Sequence, residues 1–87
     1  MAAQEILAVG ATEANSADIT VAAGAVLAVG LNGMAGAPYV YVKLKDASSG
    51  YNVVDYLNTG RSSFAISAPG VYRFTRLATG TCGVYGG

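Results

Sequence analysis

The sequence predicts a small all-β domain, a sandwich or barrel of about seven short strands, and three observations carry that reading. Turn signals recur at short intervals: Asn15-Ser16, Ala23-Gly24, Asn32-Gly33, Gly36-Ala37-Pro38, Ser48-Ser49-Gly50, Asn58-Thr59-Gly60, Pro69-Gly70 and Thr79-Gly80. The runs between them are rich in valine, isoleucine, tyrosine, phenylalanine and threonine. No long segment keeps the 3.6-residue period of an amphipathic helix. With 87 residues the chain has room for one domain, spanning 1–87, and no linker interrupts it.

The elements follow in order. Met1 to Ala3 reads as an arm outside the fold, and Gln4–Val9 as a weakly marked strand. Glu13–Ala17 is small and polar, the composition of a loop. Asp18–Ala22 and Val26–Leu31 read as strands. Between Val21 and Val42 only Asn32 is strongly polar, a length able to span a bilayer. Gly24, Gly30, Gly33, Gly36 and Pro38 interrupt it, and no basic flank precedes it, so two buried strands joined by a glycine-rich turn fit better. The clearest strand is Tyr39–Lys45, where Val40, Val42 and Leu44 share one face and Tyr39, Tyr41, Lys43 and Lys45 the other. Asp46–Gly50 supplies a hairpin turn, and Tyr51–Leu57 returns. In that return strand Val53 and Val54 point to opposite faces, which suggests cover on both sides, as from a neighbouring subunit. Ser62–Ser67 turns Phe64 and Ile66 inward and Ser63, Ala65 and Ser67 outward. Val71–Leu77 turns Tyr72 and Phe74 inward and exposes Arg73 and Thr75. Cys82–Tyr85 is a weaker strand, and Gly80, Gly83 and Gly86 read as turn glycines and a glycine-rich C-terminal tail. The expected core is Val40, Val42, Leu44, Phe64, Ile66, Tyr72 and Phe74.

Ala68-Pro69-Gly70-Val71-Tyr72-Arg73-Phe74 adds a more specific signal. A tight turn, a tyrosine two residues after the glycine and a large apolar residue two further on resemble the tyrosine corner of immunoglobulin-like sandwiches. The resemblance implies that the Tyr72 hydroxyl bonds back to the main chain while its ring packs in the core. The partner cysteine and core tryptophan of antibody domains are absent, so an Ig-like sandwich or a topological relative is what the motif supports.

Composition narrows the function. Hydrophobic residues make up 53% of the chain and charged residues 11%, few for covering a monomer's surface. The net charge is zero, against the basic patch that nucleic-acid binding usually needs. One cysteine, Cys82, forms no internal disulfide and no Cys/His metal cluster exists. Cys82 reads either as a reactive thiol or, more in keeping with lone cysteines, as a small buried residue. Histidine is absent, the carboxylates Glu5, Glu13, Asp18, Asp46 and Asp55 are scattered, and the glycines lack the helix that a phosphate loop requires. No basic residue precedes Lys43, so there is no charged n-region of a secretory signal. These readings point to a non-enzymatic protein with no cofactor, no metal and no membrane span.

Interfaces remain. Tyr39 and Tyr41 share an outer face with Lys43 and Lys45, an amphipathic patch of the kind that anchors protein contacts or, equally, forms ordinary cross-strand aromatic pairs. Arg61, Arg73 and Arg76 form a second candidate set, although Arg76 falls on the inward side of its strand. Charge is also divided along the chain. Glu5, Glu13 and Asp18 give −3 before residue 43; Lys43, Lys45, Arg61, Arg73 and Arg76 against Asp46 and Asp55 give +3 after it. Folding of a sandwich is expected to interleave these halves.

The order of features resembles small virion proteins of tailed bacteriophages. It comprises a short polar start, Ile19-Thr20-Val21-Ala22-Ala23-Gly24 leading into Val26–Leu31, a central alternating strand and a late Pro-Gly-Val-Tyr-Arg-Phe strand, and covers roughly Asp18 to Phe74. The resemblance is one of pattern and transfers no functional residue. It implies a capsid decoration or cement protein on the capsid exterior of the virion, made in the host cytoplasm, with a coat protein or other virion protein as partner and a trimer or dimer as the oligomer. The alternative it implies is a tail- or fibre-associated Ig-like adhesion module that binds a host-surface ligand. A small cytosolic enzyme has no residue constellation behind it.

Overall fold

Strict alternation in Tyr39–Lys45 yields a strand flanked by a neighbour on each side, in one of two antiparallel sheets. The computed structural model describes residues 4–87, so the Met1 to Ala3 arm lies outside the described residues. In chain order the strands are β1 (Gln4–Gly10), β2 (Ala14–Asn15), β3 (Ile19–Val21), β4 (Leu27–Gly36), β5 (Tyr39–Lys45), β6 (Tyr51–Asn58), β7 (Ser63–Ile66), β8 (Gly70–Arg76) and β9 (Gly80–Gly86). The first sheet runs β1-β9-β4-β7; the second runs β2-β8-β5-β6, with β3 beside β8 as well. The all-β sandwich expected from the turn spacing is therefore the fold, with nine strands among the described residues instead of about seven.

Strand order identifies which part is Ig-like. If β4, β5, β6, β7 and β8 are taken as strands B, C, C′, E and F, their neighbours in space are those of an Ig-like sandwich. The ends differ. After β8 the chain crosses to the other sheet, and β9 lies beside β4, where such sandwiches place their first strand. The N-terminal β2 and β3 hold the position beside β8 that the last strand would take. The tyrosine corner is present: Tyr72 is 4% exposed and its hydroxyl donates to the Ala68 carbonyl at 2.8 Å.

The core follows the inward faces. Val40, Val42, Ile66, Tyr72 and Phe74 are buried as expected, while Leu44 and Phe64 pack against them half-buried. Val21, Val29, Leu31, Leu57, Cys82 and Val84 complete the cluster. Burial pushes the Cys82 thiol above its ordinary range, with Arg76 acting in the opposite direction, so it is the small apolar filler of the two readings and not an exposed thiol.

Several expectations are corrected. The expected Cys82–Tyr85 strand is present as the centre of β9, but the strand also takes in the residues read as a glycine-rich C-terminal tail and is paired on both sides, with β1 and β4. Its glycines are packing devices, since a Cβ on Gly80 would sit 2.6 Å from the Pro38 nitrogen. Asn32-Gly33 is not a turn but a register shift inside β4, with Gly33 in the left-handed region at φ 59°. Glu13–Ala17 is not simply a loop. Ala14 and Asn15 pair with β8, and Ser16 is buried, its Oγ accepting from the Phe74 N–H at 2.9 Å. That hydroxyl serves the main-chain donor left over where β2 ends. Thr75 lies on the outer face yet is buried, donating its hydroxyl to Asn15 Oδ1 at 2.6 Å. Arg76 is interior, bonded to three main-chain carbonyls.

Candidate functional site

The outer face of the second sheet is built by three strands in register. Tyr41 of β5 lies opposite Tyr56 of β6 and Thr75 of β8; Lys43 lies opposite Val53 and Arg73; Lys45 lies opposite Tyr51. Directly opposed residues share a face, so the four residues singled out on β5 stand with Tyr51, Val53, Tyr56 and Arg73 on one surface. Tyr39, Tyr41, Lys43 and Lys45 are all half-buried.

At one end of this face the aromatics cluster. Tyr39 meets Tyr41 edge-on at 5.3 Å and stacks on Tyr56 at 5.5 Å. Partial desolvation, with Tyr41 and Tyr56 nearby, pushes the Tyr39 hydroxyl above its ordinary 10.0, which keeps it a neutral donor. Tyr56 remains 41% exposed and Val53 53% exposed. They extend the cluster toward the free edge of β6.

The opposite end is polar and tied together. Asp18, just before β3, accepts from the Tyr51 hydroxyl at 2.9 Å and from Arg73 at 3.3 Å, and lies 3.6 Å from the Lys45 ammonium. The Tyr51 bond, opposed by desolvation and helped by the two cations, holds the Asp18 carboxyl below its ordinary 3.8. The Arg73 guanidinium carbon stands 3.9 Å from the centre of the Tyr51 ring, and its buried Nε has no hydrogen-bond partner. Lys43 stands between the two ends, and among the described residues no carboxylate lies within 4.0 Å of it.

The arginines do not form one contact set. Arg73 belongs to the polar end of this face and Arg76 to the interior. Arg61 follows β6 and wraps its edge, bonded to Asp55 at 3.1 Å, with its guanidinium carbon 4.9 Å from the Phe64 ring centre and 5.7 Å from that of Tyr56. Tyr56, Val53, Tyr51 and Asp18 are the parts of the face that sequence reasoning missed. A bulge at Val54 hid the first two: Val42 pairs with Asp55 and Lys43 with Val53, so alternation along β6 shifts by one residue midway.

Two clefts lie off this face. One of about 430 Å³ opens between β6 and β7, with Phe64, Tyr72, Arg61 and Asp55 in its walls. The other, about 560 Å³, opens beside β1 and β3 and is lined mainly by Ile6, Ile19, Val21, Val26 and Leu27, with Glu5 at its rim. Among the described residues no group of three His, Cys, Asp or Glu is placed to hold a metal ion, and no helix is long and apolar enough to cross a membrane. Compared with known protein families, curated proteins and solved structures, the chain matches none.

Proposed function

We propose that this chain is a non-enzymatic structural protein of the virion type, which docks on an assembled lattice of coat subunits through the outer face of its second sheet. The observation that carries the reading is the layout of that face. Tyr39, Tyr41, Tyr56 and Val53 supply a rigid aromatic and apolar centre, with Lys43 beside it and the Asp18–Lys45–Arg73 network at the side. Large rings at the centre of a contact and charges at its rim are the organisation in which a few residues carry most of the binding energy. Stabilisation of the shell would follow from mass action, because a protein that binds assembled but not free subunits shifts the equilibrium toward assembly.

The test is sedimentation of the tagged chain with particles from the cells that make it, comparing the parent with a Tyr39→Ala/Tyr41→Ala variant. Each ring truncation should weaken docking by ~1–3 kcal/mol while the chain still melts cooperatively. Unchanged docking with unchanged melting would remove this face from the mechanism. A second reading, an adhesion module of a tail or fibre, is favoured by the cleft between β6 and β7, where an ion pair and two aromatic rings converge as in small-ligand sites. Copy number separates the two: hundreds per particle mean decoration, about a dozen mean tail or fibre.

A further inference from the structure

We propose that the outer face of the first sheet is a self-association surface, on which two copies of this chain pack across a two-fold axis. Charge is the first ground. Within β1, β4, β7 and β9 the one charged residue is Glu5, on the outermost strand. Folding interleaves the acidic and basic halves of the chain as expected, Asp18 meeting Lys45 and Arg73, but it gathers these charges with Lys43 on the second sheet and leaves the first nearly neutral. A two-fold contact sets each patch against itself, so charges near the axis meet their own kind. The second sheet's face would oppose lysines and arginines to one another; on the first sheet's face the one such charge is Glu5, opposite Tyr85 on the edge strand β1, at the far side of the sheet from β7.

Shape is the second ground. Val9 and Tyr85 are 50% and 40% exposed on this face, Val9 against Gly33 and Gly83 and Tyr85 opposite Gly30. Tyr85 lies across Gly30, where a Cβ would come within 2.8 Å of its hydroxyl, and so stands as a ridge. Beside it is a hollow of about 290 Å³ lined by Ala28, Ala65, Ser63 and Tyr85. A ridge and a hollow side by side on one face are mutually exchangeable across a two-fold axis, the ridge of each copy entering the hollow of the other.

The edges leave few other routes to self-association. β1 carries Glu5 and two register shifts, β3 and β7 are short, and β6 has a bulge and Asp55; each is a device that discourages edge-to-edge pairing. Extents of 35 × 31 × 20 Å make each broad face large enough for the ~800 Å² per partner of a stable contact. The dimer would leave both tyrosine faces outward, and it stands or falls separately from docking on a lattice.

Sedimentation equilibrium of the purified chain tests this, with far-UV circular dichroism as the check on folding. The parent should be dimeric, and Ala65→Arg, which brings cations together near the axis, should raise the dissociation constant about 30-fold or more. Ala28→Glu, on the neighbouring strand, should do the same with the opposite charge, and serves if Ala65→Arg fails to fold. Lys43→Glu, on the other sheet, should leave the dimer intact. A parent that is monomeric at about 100 µM, weak for an interface of this size, would overturn the proposal. So would a trimer, a dimer indifferent to both first-sheet variants, or one broken by Lys43→Glu.

Discussion

Arg76 is the residue whose removal tests the architecture most directly. Its Nε–H donates to the Thr12 carbonyl at 2.7 Å, and its Nη1 donates to the carbonyls of Ala8 at 2.6 Å and Cys82 at 2.9 Å. One guanidinium thereby ties the end of β1, the corner leading to β2, and β9, at the place where the chain passes from one sheet to the other. Arg76→Met keeps an unbranched side chain and removes all three bonds. Ala8 and Thr12 are exposed, so water can replace the donor there; Cys82 is buried, out of reach of water. Losing that buried charge-assisted bond costs ~1–3 kcal/mol, the other two bonds add about 1 kcal/mol each, and release of a buried charge from its desolvation offsets part. The expected loss is ~2–4 kcal/mol, which for a domain of this size lowers the midpoint by roughly 10–25 °C. Thermal melting followed by circular dichroism reads it. A Cβ on Gly10 would come within 2.8 Å of Arg76 Nη2, so Gly10→Ala should also destabilise, and less so in the Arg76→Met background. A Met variant melting within ~1 kcal/mol of the parent would refute the reasoning, because the charge would then cost as much to bury as its bonds return.

The core and the corner separate by magnitude. Phe74→Ala empties a fully buried site between the sheets and should cost ~3–5 kcal/mol, close to the whole stability of so small a domain, whereas Tyr72→Phe loses one bond to the Ala68 carbonyl and should cost about 1 kcal/mol in urea titrations. Acid should act through Asp18 and Asp46. Asp46 is held below its ordinary 3.8 by the Asn52 amide and by the main-chain N–H groups of Gly50 and Ser48, and Asp18 by Tyr51, Arg73 and Lys45. A carboxylate whose folded pKa is depressed contributes stability present above its unfolded value and lost as pH falls through the folded one. The melting midpoint should therefore drop between about pH 5 and pH 2, and Asp46→Asn should flatten that drop while keeping the turn; an equally steep drop in the variant would remove Asp46 from the account.

What the sequence made legible was whatever depended on period and on local turn chemistry. Val40, Val42 and Leu44 alternate against tyrosines and lysines, and any sheet must sort them as found. The corner at Tyr72 was legible because it is encoded within Ala68–Phe74. What stayed hidden depended on partners distant in the chain. Of β9 only Cys82–Tyr85 read as a strand; its glycine-bearing ends have little strand propensity of their own and join it because β1 and β4 supply both ladders and the glycines permit close approach. Ser16 looked like loop because its role is set by Phe74, far along the chain. The tyrosine face was half visible: β5 showed its two rings, but the bulge at Val54 broke the alternation that would have added Tyr56 and Val53. Asp18 gave no local sign that it would gather Tyr51, Lys45 and Arg73.

The two faces and the edges can now be weighed against one another. An edge strand exposes main-chain donors and acceptors, which any other edge can use; specificity there is weak, and proteins usually suppress it. This chain suppresses it at β1 and β6 with bulges and carboxylates and at β3 and β7 by brevity. Its faces have no equivalent protection. One presents four tyrosines and a lysine without an acidic partner among the described residues, the other an almost uncharged surface with a ridge beside a hollow. Side chains on a face, unlike ladder bonds, differ from protein to protein, so contacts made there can select a partner. A sandwich 20 Å thin with protected edges and two chemically different faces has the layout for joining two kinds of neighbour at once, its own copy on one side and a different protein on the other.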